Sequence, residues 1–87
     1  MSEKKIRILV VDDSAYHRRT LVKIIGLDSH MEVVGTAGDG REAVKAALEL
    51  SPDVIAMDLS MPGLSGIEAA RQIVAERPAI KVLCRVG

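Results

Sequence analysis

The chain has 87 residues, 48% of them hydrophobic and 28% charged, which suits one small globular domain and excludes a disordered tail. Twelve basic residues balance twelve acidic ones, so no polyanionic partner such as DNA is indicated, and with Tyr16 as the sole aromatic there is no platform for stacking bases. The single cysteine, Cys84, cannot form an internal disulfide, and no segment has the length of a membrane span or the plan of a signal peptide, so a soluble cytosolic domain is expected.

Ile6 to Val11 is short, apolar and rich in branched residues, which predicts a strand buried on both faces. Ser14 is placed to cap a first helix, in which Leu21, Val22, Ile24 and Ile25 recur at helical spacing. Arg18, Arg19 and Lys23 lie between them and read as a solvated face. Gly26 to His30 ends that helix, and Met31 to Ala37 predicts a second strand. Asp39 followed three residues later by Glu42 has the spacing of a capping box for a second helix, which Ser51-Pro52 stops. Val54 to Met57 is a third apolar strand. After the turn-rich loop LSMPGLSG, Ser65 can cap a third helix over Gly66 to Glu76, with Ile67, Ala70, Ile73 and Val74 as its apolar face. Ile80 to Cys84 predicts a fourth strand, with Cys84 as a small buried hydrophobe. Apolar strands alternating with amphipathic helices imply an α/β fold, a doubly wound parallel sheet with helices on both faces.

The chemistry lies where apolar strands end in acids. The first strand runs into Asp12 and Asp13, and the third into Asp58. Like charges about 4 Å apart repel by ~4 kcal/mol at an effective dielectric near 20. Taken singly, Asp12 or Asp13 could cap a helix, and Asp58 could cap a turn. In an open parallel sheet, however, ligands bind beyond the carboxyl ends of the strands. If the first and third strands are neighbours, three carboxylates converge there. A hard cation such as Mg2+, which takes one or two carboxylates and keeps several waters, would neutralise them. One carboxylate could then act as a nucleophile toward a phosphoryl group. His17 and His30 are far apart without a third ligand, so a metal role for either is not expected.

The stretches LVVDDSAYHRRTL, EVVGTAGDGREAV and DVIAMDLSMPGLSGIEA resemble the receiver domain of two-component response regulators. The first two are especially similar to receivers fused to chemotaxis methylesterases. The resemblance implies that Asp58 accepts a phosphoryl group from a sensor histidine kinase or phosphotransfer protein. It also implies that Asp13 and Asp58 ligate Mg2+ with the backbone carbonyl of Ser60, and that Asp12 holds the metal mainly through water. Pro62 and Gly66 match the loop that positions the acceptor, and kinases of this system dock near the first helix.

The resemblance covers Ile6 to about Leu83, and its pattern then breaks. The family's flavodoxin-like sheet has strand order 2-1-3-4-5. Five βα units would need on the order of 120 residues. Residues 1–87 are therefore expected to be a single receiver domain shortened to about four strands, in order 2-1-3-4, without the last strand and helices. The Ser or Thr that ends the family's fourth strand falls at Val86, and Arg85 falls where an apolar residue is usual. The lysine and aromatic of the fifth strand have no counterpart.

An exposed fourth strand and an uncovered first helix would favour a homo-oligomer, most simply a dimer. The leading expectation is thus a phosphoacceptor signalling module that is a kinase substrate and not itself an enzyme. Its alternative is a self-associating structural or interaction fragment. A metal-dependent phosphatase is a weaker third reading, because no second acid follows the nucleophile by two residues.

Overall fold

A computed structural model describes residues 4–58 and 66–85. Their elements run β1 (Ile6–Val11), α1 (Ala15–Gly26), β2 (Met31–Ala37), α2 (Gly40–Leu50), β3 (Val54–Asp58), α3 (Gly66–Glu76) and β4 (Lys81–Arg85). The four strands form one parallel sheet in the order β2-β1-β3-β4, as the sequence predicts.

Local chemistry sets the helix starts. The Ser14 side chain accepts from His17 N at 3.2 Å, and that of Asp39 accepts from Glu42 N at 2.8 Å, each satisfying an amide at a helix start that has no partner within its helix. The return half of the expected capping box is displaced by one residue. Glu42 Oε2 accepts from Gly38 N at 3.0 Å and so ties α2 to the loop before it. At its far end α2 stops at Ser51, the one non-glycine residue with positive φ among those described. Ser51 N donates to the Ala47 carbonyl, and the Ser51 carbonyl accepts from Arg7 Nη1 at 2.9 Å. In the turn after α1, Asp28 accepts from His30 N at 2.8 Å, which holds its carboxyl below the usual carboxylate range.

Alternation along the strands sorts side chains onto two faces. Leu9 and Val11 of β1 and Ile55 and Met57 of β3 point to one face. There they join Ala43 and Ala47 of α2, Ala69 and Ile73 of α3, and Ala37 and Ile80 in a single core cluster. A bulge in β2 serves this packing. Ile8 pairs with Val33 but Leu9 pairs with Gly35, so Val34 is the extra residue. Opposite Leu9, a Cβ on Gly35 would stand 2.7 Å from Leu50 Cδ1, so the missing side chain lets the end of α2 settle onto the sheet.

The other face is covered by α1 alone among the described elements. Ile8 and Val10 are buried there, yet α1 contains no fully buried residue, and Ile24 is 57% exposed. Several expectations are corrected here. Ile6 is exposed, not buried, because β3 flanks β1 only from Ile8 onward, leaving Ile6 paired with β2 alone. The inward stripe of α3 is Gly66, Ala69 and Ile73, while Ile67 and Val74 face outward. Cys84 is exposed, because β4 is a sheet edge and no described element covers its end.

Ile55 is fully buried between the helices and both neighbouring strands. Ile55→Ala is expected to cost about 2–5 kcal/mol of unfolding free energy, read from the midpoint of urea denaturation at unchanged slope.

Candidate functional site

The β1–β3 ladder pairs Val11 with Met57. The next residues, Asp12 and Asp58, therefore sit at adjacent positions of the sheet's carboxyl edge, with Asp13 one step beyond Asp12. One carboxylate oxygen from each of the three lies within 4.8 Å of the others. The triad expected from the sequence is thus assembled. Asp12 is 2% exposed, Asp13 is open to solvent and Asp58 lies between these extremes. Below them is a cleft of about 210 Å³ lined by Val11, Leu21, Ala56, Met57, Leu83 and Cys84.

Burying Asp12 requires partners, and the end of β2 together with the cap and first turn of α1 supplies them. Its amide donates to the Ala37 carbonyl at 3.1 Å, and its Oδ1 accepts from Ser14 N at 2.9 Å. Its Oδ2 lies 3.8 Å from His17 Nδ1. Its backbone carbonyl accepts from Arg18 Nη1 at 2.6 Å.

One sequence-based expectation changes at this point. Arg18 is not part of a solvated helix face but is half-buried against the strand end. His17, on an exposed part of α1, stands beside the acids. Both positions have a signal in the sequence, since residues three and four past an N-cap lie on the helix face above that cap.

The donor set suits a hard divalent cation. Oxygens bound to one Mg2+ at about 2.1 Å lie roughly 3–4 Å apart, close to the spacing of these three carboxylates. Gly66 is buried at the start of α3. Ser60, Met61, Pro62, Ser65 and Val86 lie outside the described residues.

Comparison with known proteins adds the following. Residues 8–85 match the family model described as the response regulator receiver domain. A protein-glutamate methylesterase/protein-glutamine glutaminase of Thermotoga maritima is 54% identical over 78 residues, which are 90% of this chain and 23% of that protein. Its counterpart in Caldanaerobacter subterraneus is 51% identical over 81 residues, 93% of this chain and 22% of the relative. The chain thus spans under a quarter of the length of these curated relatives. Among solved structures, the response regulator domain of Thermotoga maritima CheB matches with a TM-score of 0.86 and 49% identity, covering 93% of this chain and 60% of that one. The CheX-CheY-BeF3-Mg2+ complex from Borrelia burgdorferi matches with a TM-score of 0.86 and 26% identity, over 93% of this chain and 61% of that one. No helix among the described residues is long and apolar enough to cross a membrane.

Three carboxylates held this close repel one another when no cation is present. Asp13→Asn is expected to raise the melting temperature in metal-free, low-salt buffer. The gain should shrink as salt screens the exposed charge, a trend checked by circular dichroism at two ionic strengths.

Proposed function

The chain belongs to the response regulator receiver family, and from that premise we propose that it is a phosphoacceptor module of two-component signalling. The acid triad at the ends of two neighbouring strands is the observation that carries this reading. Asp58 is the acceptor. Asp13 and Asp58 would hold Mg2+ directly, with Asp12 joining mainly through water and the Ser60 carbonyl as a further ligand. When bound, Mg2+ supplies the positive charge that offsets the carboxylates and the incoming phosphoryl oxygens.

The chain's own residues perform the remaining work. An oxygen of Asp58 forms a bond to phosphorus as the phosphorus–nitrogen bond of a phosphohistidine donor breaks. The imidazole leaves with the electron pair. Buried Asp12, tied down by the Ser14 amide and by Arg18, keeps the cluster's geometry while Asp58 reacts. The donor is a sensor histidine kinase or phosphotransfer protein docking along α1, where Arg19 and Lys23 are exposed. The similarity to methylesterase relatives supports a role in chemotaxis, in which the module acts as a cytoplasmic kinase substrate.

Incubation with a small phosphodonor and Mg2+ is expected to add one phosphoryl group, seen by intact mass. Asp58→Asn or chelation of the metal should abolish it. A wild-type protein that never gains this mass would refute the reading.

A second reading is favoured by the apolar surface beside β4. Leu83 is 64% exposed on one face of that edge strand, while Ile67 and Val74 of α3 are 53% and 42% exposed on the other. Such surfaces favour self-association. The weight-average mass is expected to rise with concentration in sedimentation equilibrium, and Leu83→Lys should suppress the rise.

A further inference from the structure

Arg18 ties its cationic side chain by a hydrogen bond to the backbone of the acid triad. Its backbone sits one turn into α1, with Arg18 N donating to the Ser14 carbonyl at 3.0 Å, and its side chain folds back over the end of β1. There Nη1 meets the Asp12 carbonyl at 2.6 Å. That carbonyl belongs to the same planar peptide unit as the amide of Asp13. Fixing the carbonyl therefore fixes the plane from which Asp13 departs and narrows the directions its side chain can take. The adjoining peptide is fixed too, by the bond from Asp12 N to the Ala37 carbonyl.

The guanidinium itself is seated by the β2–α2 loop. A Cβ built on Gly38 would stand 3.2 Å from Arg18 Nη1 and 3.8 Å from its Cζ, so the bare glycine leaves the room that the planar group occupies. Glu42 Oε2, which accepts from Gly38 N, lies 3.7 Å from the same point and supplies the opposite charge nearby. Arg18, Gly38 and Glu42 therefore form a bracket linking the first turns of α1 and α2 to the strand end that carries two of the three acids.

We infer that Arg18 is a positioning residue of the cation site, setting the Asp12–Asp13 peptide so that the Asp13 carboxylate faces Asp58. The inference rests on reading the triad as a Mg2+ site. Two effects of Arg18 oppose each other. As a positive charge it repels Mg2+, so removing it would tighten binding if charge were its whole role. As a hydrogen-bonded support it preorganises a ligand, so removing it weakens binding, and groups that orient metal ligands are commonly worth about tenfold in affinity. The short bond to the Asp12 carbonyl and the cradle at Gly38 favour the second effect.

The test is a titration with MgCl2 followed by the amide shifts of residues 12, 13 and 58 in nuclear magnetic resonance spectra of the full chain. Arg18→Ala is expected to weaken Mg2+ binding about tenfold and to move the Asp13 amide already in the metal-free state. Arg18→Lys should restore only part of the affinity, because an ammonium lacks the planar fork. Gly38→Ala, which crowds the guanidinium, should weaken binding to a smaller extent and add nothing in the Arg18→Ala background.

Melting curves report whether each variant folds. If Arg18→Ala does not, Arg18→Lys and Gly38→Ala decide. Unchanged or tighter binding in the folded variants overturns the inference while leaving the metal site standing. Failure of the wild type to bind Mg2+ overturns both.

Discussion

The register between β1 and β3 is the constraint on which both core and site depend. Pairing Val11 with Met57 puts Leu9, Val11, Ile55 and Met57 on the face that α2 and α3 cover. A slip of one residue in either strand would turn that strand's pair to the opposite face. The same register sets Asp12 and Asp58 side by side at the carboxyl edge. Apolar burial thus supplies the force that assembles the charges. The repulsion among them acts only at the strand ends, where it cannot outweigh the packing of the strands behind.

The two faces of the sheet contribute unequally. On one side, small residues of α2 and α3 let both helices approach closely enough to enclose Ile55 and Ile73 completely. On the other, α1 covers Ile8 and Val10 while burying none of its own residues. Its first turn is committed instead to polar work at the strand end, through Ser14 and Arg18. A helix that gives its amino end to a site and only part of its length to packing draws its stability from tertiary context more than from its own sequence.

Much of this organisation was legible beforehand. Strands from Ile6 to Val11 and from Met31 to Ala37, and the helix from Gly66 to Glu76, follow the predicted bounds, and β3 and β4 differ by one residue. Branched apolar runs and capping residues carry that information locally. The convergence of Asp12, Asp13 and Asp58 was legible because ligands gather at one edge of a parallel sheet.

What escaped the sequence depends on neighbours. The buried stripe of α3 centres on Ala69 and Ile73, with Ile67 and Val74 outside it, because periodicity gives the spacing of a face but not which of two overlapping faces meets the sheet. Cys84 lies in an apolar strand, and its exposure follows from its place at the edge. Arg18 looked like one of three solvated cations, and only the fold-back of its long side chain toward the Asp12 carbonyl separates it from Arg19 and Lys23.

At the opposite end of the sheet, Asp53 joins three strands. Its amide donates to the Arg7 carbonyl, its Oδ2 accepts from Arg7 N at 2.8 Å, and its carbonyl accepts from Lys81 N at 3.1 Å. These bonds tie the amino ends of β1, β3 and β4 together, while the Ala37 carbonyl and Arg18 hold the Asp12 backbone at the carboxyl edge. β1 is thus pinned at both ends, so charge can be added or withdrawn at the acidic edge while the alignment of the strands persists.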